Sequence, residues 1–273
     1  METTVPSHPT QPVSLAVAVL GLGEAGAALA SDLAAQGVPV RGWDPVVKEV
    51  PSVAIVSSAS EAVRGAEVVV SINSARVALE VARNLAPDLG PGQVFADFNT
   101  ASPSLKESLH GVVAATGAEF VDVALMAPVP GRGLRTPALA SGVGARRFAA
   151  LFQPLGMPVT VVDERPGSAA SRKLLRSVFM KGLAAVLLEG LAAAEKLGWA
   201  EWYKEEVAAT LRESDGSLVE RLITGSRKHA ARRVHEMNAA AELLLAVEVP
   251  PRVSLAAAEV LRELAQGENA GRT

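Results

Sequence analysis

The sequence predicts an α/β N-terminal domain built on a mainly parallel sheet, followed by an all-α C-terminal domain entered through a long interdomain helix. Three observations carry this. Apolar runs of strand length alternate with helical stretches over residues 15–162, the pattern of strand–helix–strand units whose sheet is covered on both faces. The first run opens directly onto Gly21-Leu22-Gly23-Glu24-Ala25-Gly26. At Pro166-Gly167 the character changes, and every later segment is rich in alanine and leucine and helical in pattern. The chain therefore divides into a disordered arm over 1–13, an α/β domain over 14–166 and a helical domain over 167–273.

Taken in order, residues 15–20 suit a strand buried on both faces. The glycine turn leads into a helix ending at Gly37, where positive φ is expected, and a second strand over 38–43 ends on Asp44. A short strand over 53–56, a short helix over 61–64 and a strand over 67–72 closing on Asn73-Ser74 follow. A helix over 75–85 and a turn over 87–92 lead to a strand over 94–97. That strand opens onto Asn99-Thr100-Ala101-Ser102-Pro103, where Ser102 caps the next helix with Pro103 at its first position. Strands over 120–124, 137–141 and 157–162 and a helix over 146–152 complete the α/β domain. The long helix covers 168–197, about 45 Å at 1.5 Å per residue. Helical segments over 201–211, 218–247 and 254–266 follow. A helix so long and apolar is expected to be covered by a neighbouring subunit as well as by its own domain, which predicts a homodimer.

Composition bounds the function. The 273 residues are 49% hydrophobic, enough for a substantial core, and a net charge of −3 gives no reason to expect nucleic acid or an anionic membrane as partner. No cysteine is present, so disulfides, thiolate nucleophiles and cysteine-ligated metals are excluded, in keeping with a reducing cytoplasm. The opening METTVPSHPTQP lacks the basic-then-apolar order of a signal peptide. No uncharged apolar run approaches the roughly 18 residues of a membrane span. Four histidines without ligand spacing predict no metal site.

A strand, a glycine turn, a helix and a second strand with an acidic tip make a Rossmann-like dinucleotide-binding unit. Gly21 permits the tight turn, Gly23 lets a pyrophosphate approach the backbone, and Gly26 lets helix and strand pack closely. The N–H groups of Leu22, Glu24 and Ala25 belong to the same turn and helix start, where anions bind. Asp44, 18 residues past Gly26, would accept hydrogen bonds from the adenine ribose and repel a 2′-phosphate. NAD(P) is thus the expected cofactor, with NAD favoured. Arg41 and Lys48 are the cations able to offset Asp44.

With these parts in order, the chain resembles the 6-phosphogluconate dehydrogenase and β-hydroxyacid dehydrogenase superfamily, which includes 3-hydroxyisobutyrate dehydrogenases and the related imine reductases. Four segments carry the resemblance, which extends over most of the chain. They are the glycine turn 21–26, the stretch Asp97 to Pro103, the stretch Asp122 to Pro128, and Gly167-Ser168-Ala169-Ala170-Ser171-Arg172-Lys173. The second is similar to the family's Asp-x-Ser-Thr-x-x-Pro segment beside the nicotinamide ribose, which implies Asn99 and Thr100, with Asn73, as cofactor-binding residues. The third implies substrate contacts at Leu125, Met126 and Ala127. In the fourth, Lys173 matches the family's catalytic lysine. Reducing a carbonyl leaves an alkoxide that needs a proton, and a lysine whose pKa is lowered by desolvation or by cations such as Arg172 and Arg176 can supply it. Arg176 and Arg233 are further expected substrate contacts.

The chain also departs from the family. Ser177 stands where the family has an asparagine, one helical turn after the lysine. Ala127-Pro128 replaces the family's pair of substrate glycines, and proline offers no N–H to a substrate carboxylate. Arg132 and Arg135 either replace that anion site or are solvated loop charges. His229, Arg233 and Glu236 recur at i, i+4 and i+7 on one helix face, which is either a solvated or interface surface or supplies His229 as a second acid–base group. Trp199, Trp202 and Tyr203 form either a packing plug or a stacking surface for substrate.

The sequence thus predicts NAD(P)-dependent hydride transfer to or from a C–O centre of a small molecule, with Lys173 as proton donor or acceptor. The alternatives are an imine reductase, and a non-catalytic NAD(P)-binding sensor or scaffold dimer.

Overall fold

The computed structural model describes residues 15–270, and the arm expected over 1–13 lies outside them. Two compact units divide between Leu175 and Arg176. The first contains the strands β1 (Val17–Leu20), β2 (Val40–Trp43), β3 (Ala54–Ile55), β4 (Val68–Ser71), β5 (Val94–Asp97), β6 (Glu119–Leu125), β7 (Ala138–Ser141) and β8 (Val159–Val161). Helices α1 (Glu24–Ala35), α2 (Ala59–Val63), α3 (Ala78–Leu85), α4 (Pro103–Ala114) and α5 (Ala145–Phe152) connect them, and α6 (Ser168–Leu197) begins here and continues into the second unit.

The strands form one sheet in the order β3-β2-β1-β4-β5-β6-β7-β8. Strand residues alternate between two cores. Val17 and Val19 face a cluster with Leu29, Leu33, Phe148 and Phe152. Ala18 and Leu20 face a second cluster with Val69, Phe95, Leu109 and Phe120. Both faces of β1 are therefore dry, and this is why its sequence reads as a continuous apolar run rather than an alternating one. The chain order reverses between β2 and β4, on either side of β1. Ligands bind at such a switch point, beyond the carboxyl ends of the strands.

One pairing breaks the parallel pattern: β6 and β7 are antiparallel, with Asp122 opposite Ser141. A parallel connection needs a crossover, usually a helix, and residues 126–137 supply only a 3-10 turn over Gly133–Arg135. The antiparallel register has a consequence for the site, because it sets Asp122 and Ser141 side by side.

The second unit consists of the rest of α6 with α7 (Ala200–Arg212), α8 (Ser217–Lys228), α9 (Ala230–Ala246) and α10 (Arg252–Ala270). The single segment expected over 218–247 is in fact two helices. His229 leaves helical geometry at φ −123° and ψ 24°, ends α8 and precedes α9. Arg233 reaches back across the break to the Ser226 hydroxyl at 2.6 Å. Glu189, from the middle of α6, accepts the Val253 and Ser254 N–H groups at 2.7 and 2.8 Å and the Ser254 hydroxyl at 2.7 Å. It thereby caps the start of α10, where a carboxylate is favoured. Burial works to raise the Glu189 pKa, and these donors outweigh it and hold the carboxyl below its ordinary value. Ala193, Leu244 and Val249 form the small core of this unit. Tyr203 packs onto α6 at Gly190, where a Cβ would stand 2.3 Å from its hydroxyl, so for this residue the packing role is the one observed. Trp199 and Trp202 are exposed.

α6 carries an 18-residue stretch of mean hydropathy 1.6 with at most two charged residues, long and apolar enough by length and composition to cross a membrane. The expectation of no uncharged run of this length still holds, because Arg176, Lys181 and Glu189 interrupt the apolar sequence of the helix. Only 11% of that stretch is buried by the chain itself.

Candidate cofactor and active site

The glycine turn has the geometry the nucleotide reading requires. Gly21 has φ +101°, and a Cβ there would lie 2.4 Å from the Ile72 carbonyl oxygen. A Cβ on Gly26 would lie 1.9 Å from the Gly21 carbonyl oxygen. A Cβ on Gly23 would meet nothing within 4 Å. The first and third glycines therefore serve the protein's own packing, and the second leaves space free over the start of α1. No side chain caps α1, which leaves its N-terminal end available to an anion. These residues fit the diphosphate of a dinucleotide. A cleft of about 540 Å³ continues from them, lined by Trp43, Asp44, Val46, Asn73, Ser74 and Val77 among others.

Asp44 is held firmly. Its carboxylate accepts the Leu22 N–H at 2.8 Å, the Val46 N–H at 2.8 Å and the Val47 N–H at 2.9 Å. Burial pushes its pKa up, and the three N–H groups with nearby Lys48 outweigh that, so the carboxyl stays below its ordinary value. One oxygen accepts two bonds and the other accepts one, which leaves acceptor capacity on the second for a ribose hydroxyl. Lys48 donates to the Asp44 and Pro45 carbonyls at 3.2 and 3.0 Å and so belongs to the same loop. Arg41 is directed instead to the Glu61 and Arg64 carbonyls on and beside α2. Asn73 folds locally, accepting the Ser74 N–H at 2.7 Å.

Further along the sheet, Asn99, Thr100, Ala101, Asp122, Ala170 and Lys173 line one small recess. Lys173 is half-buried there. The structure thus brings together the residues of the second and fourth resemblance segments. Beneath the recess lies a buried ionic cluster. The Lys106 ammonium stands 2.6 Å from Asp97 and 2.9 Å from Asp122, and all three side chains are fully buried. Burial raises the Asp97 pKa, with Lys106 and Asn99 pulling against it and the Asp122 charge adding to it. Asn99 donates to Asp97 at 2.6 Å. Asp122 accepts the Ala170 N–H at 2.8 Å, and the Ser141 hydroxyl accepts the Ala169 N–H at 3.0 Å. Gly167, at φ +88°, backs onto Pro103, whose Cα would be 3.0 Å from a Cβ. These contacts explain why the first two turns of α6 belong to the sheet unit.

The remaining candidates are placed as follows. Leu125 is buried at the end of β6, Met126 and Ala127 are half-buried, and the Met126 N–H donates to the Pro137 carbonyl at 2.8 Å. Arg132 and Arg135 are exposed on a loop that Asp32 of α1 holds through the Leu134 N–H at 2.9 Å. Ser177 is half-buried and Arg176 exposed, both in the helical unit. His229 is exposed at the α8–α9 junction, outside the helix that carries Arg233, which corrects the shared helix face expected for it. Glu236 pairs with Arg232 at 3.4 Å. Lys106 and Ser141 were not among the expected site residues. A signal for Lys106 exists: it stands in register with Leu109 and Val113 on the buried stripe of α4.

Comparison with known proteins agrees with this geometry. Residues 16–133 match the NAD binding domain of 6-phosphogluconate dehydrogenase, and residues 194–264 match a domain of unknown function, DUF1932. A probable 3-hydroxyisobutyrate dehydrogenase of Mycobacterium tuberculosis is 28% identical over 198 residues, covering 67% of this chain and 65% of that protein. The crystal structure of a conserved hypothetical protein from Sinorhizobium meliloti is 30% identical, with a TM-score of 0.62 over 92% of this chain and 89% of that one. An imine reductase from Myxococcus stipitatus in complex with NADP+ shares the fold at 19% identity, with a TM-score of 0.79 over 92% of this chain and 94% of that one. The fold and cofactor cleft define an NAD(P)-binding protein of the dehydrogenase class. Within that class, the chain belongs to the 6-phosphogluconate dehydrogenase and β-hydroxyacid dehydrogenase superfamily.

Proposed function

We propose that this protein is an NAD(P)-dependent oxidoreductase that moves a hydride between the nicotinamide and a C–O centre of a small molecule, with Lys173 supplying or removing the proton. The observation that carries the reading is the recess where Lys173 meets Asn99 and Thr100. The cofactor, when bound, supplies the hydride acceptor or donor. The chain's own part is to hold the diphosphate over α1, to fix the ribose at Asp44 and to keep an ammonium beside the reacting oxygen. Protonating an alkoxide as it forms removes the cost of an uncompensated charge in a partly dry site. Ser177, one turn beyond Lys173, has a single hydroxyl donor, and Ala127-Pro128 removes one backbone donor, so a simple carboxylate-bearing hydroxy acid is disfavoured. The imine reductase reading draws on the shared fold alone, and there the residue at the lysine position matters less. The test is incubation with NADH or NADPH and a panel of ketones, aldehydes, β-keto acids and imines. Turnover of a carbonyl supports the reading, turnover of imines alone supports the reductase, and cofactor binding without any turnover supports a sensor.

NADH should bind more tightly than NADPH. A 2′-phosphate carries nearly two negative charges, and it would meet an Asp44 carboxylate already fixed in place by three backbone donors. Each 1.4 kcal/mol of such repulsion is about tenfold in affinity. Asp44→Asn keeps the size and an acceptor oxygen and should bring the two dissociation constants together. A wild type that binds NADPH tenfold tighter overturns the preference and assigns the phosphate to Lys48.

The working form is a homodimer, with the exposed apolar residues of α6 covered by a second copy. Leu175, Val178, Phe179 and Leu188 are each more than 60% exposed, an apolar extent that monomers rarely leave open. Glu189 ties α6 to α10 within its own unit, which favours this over a lipid environment. Light scattering should give twice the chain mass, and Val178→Glu should return a monomer. A monomeric wild type that floats with phosphatidylcholine vesicles would overturn the dimer in favour of a membrane.

A further inference from the structure

We propose that Lys106 is a positioning residue: from the interior it clamps together the loop that carries Asn99 and Thr100 and the turn of α6 that carries Lys173. The inference rests on the reading of Lys173 given above. The Lys106 ammonium donates to the Asp97 carboxylate at 2.6 Å and the Asp97 carbonyl at 2.9 Å, and it forms an ion pair with the Asp122 carboxylate at 2.9 Å that lacks hydrogen-bond geometry. Each carboxylate then holds one wall of the recess. Asp97 accepts the Asn99 amide on its other oxygen at 2.6 Å. Asp122 accepts the Ala170 N–H on its other oxygen at 2.8 Å, with Ser141 beside it on the Ala169 N–H at 3.0 Å. Lys173 follows Ala169 by four residues and Ala170 by three, so it stands one turn above the anchored end of the helix.

A merely space-filling role does not require this chemistry. An apolar side chain of the same length would occupy the volume without the desolvation of a buried charge. The ammonium adds something an apolar group cannot. It keeps two neighbouring carboxylates oriented, each with its second oxygen bonded to a different wall. The helix N-terminus answers the second carboxylate with its own partial positive charge. One buried cation thus fixes the distance between the two segments that line the recess.

The test is hydrogen exchange by mass spectrometry on the full chain, joined to the acylation rate of Lys173 by acetic anhydride, normalised to Lys181 in the same sample. In Lys106→Met, peptides over 99–103 and 167–174 should exchange at least tenfold faster together, while those over β1 and α1 keep wild-type rates. Asp122→Asn guards against a Lys106 variant that does not fold. It leaves the Lys106–Asp97 pair in place and should loosen 167–174 tenfold with 99–103 unchanged. Lys173 acylation should rise at least fivefold in both variants as its turn loosens. Uniform acceleration across the whole sheet unit, or unchanged Lys173 acylation in Asp122→Asn, overturns the clamp. Neither readout needs a substrate. Failure of the clamp is therefore distinct from failure of the catalytic reading, which shows only as undiminished turnover in Lys173→Ala.

Discussion

Lys173→Ala should cut turnover of a reducible carbonyl by roughly 100-fold or more, the usual scale for a lost general acid, while the dissociation constant for NADH stays near wild type. The split follows from position. Lys173 lies in the recess with Asn99 and Thr100, whereas the diphosphate and ribose contacts proposed above are at the start of α1 and the tip of β2. Removing the ammonium leaves the forming alkoxide to take its proton from water. A 100-fold loss corresponds to about 2.7 kcal/mol of transition-state stabilisation. Lys173→Arg is the informative companion: it keeps the charge but holds its proton too tightly to exchange it near neutral pH. If charge alone mattered, Arg would restore most of the rate, and if proton transfer matters it would not. Turnover of Lys173→Ala within a few-fold of wild type would take the proton donor away from this position.

What the sequence made legible follows local rules. The strand at 94–97 and the Ser102 cap with Pro103 behind it are set by residues within one or two turns of each other. The cap is realised as a hydrogen bond to the Leu105 N–H at 3.3 Å. The glycine turn was legible for the same reason, since Gly21 and Gly26 answer backbone constraints a few residues away or just past the end of β4. The β6–β7 reversal was not, because strand direction depends on whether the connecting segment carries a crossover helix, and 126–137 has the length of one without the sequence. The break at His229 was not, because the α8 and α9 segments continue a helical pattern through it. The Lys106 cluster was hidden by distance in the chain. Asp97, Lys106 and Asp122 each read singly as charges on a strand or a helix, and only the sheet register joins them. The apolar stripe containing Lys106, Leu109 and Val113 was the one local sign that this lysine is buried.

Gly23→Val should give a folded protein that has lost NADH binding, with affinity reduced at least 100-fold. The three glycines of the turn are not equivalent in this respect. A side chain at Gly21 would be driven into the Ile72 carbonyl from a backbone at φ +101°, and one at Gly26 into the Gly21 carbonyl. Substitutions there damage the strand–turn–helix unit itself, and lost binding would report only a lost fold. Gly23 has φ −64° and ψ −172°, extended backbone that valine adopts readily, and a Cβ there meets nothing in the protein within 4 Å. The cost to stability is that of exchanging glycine for a β-branched residue at the start of α1, about 1 kcal/mol. The space that the valine fills is the space above the first N–H groups of the helix, where the diphosphate must come within hydrogen-bonding distance of the backbone. Two branched methyl groups there hold the phosphates off the donors and shield the helix end from them. Calorimetric titration with NADH, run beside a thermal unfolding curve, separates the two effects. An intact unfolding transition with no binding heat is the expected result. A folded Gly23→Val protein that binds NADH with wild-type affinity would place the cofactor elsewhere and remove the basis for the whole reading of the cleft.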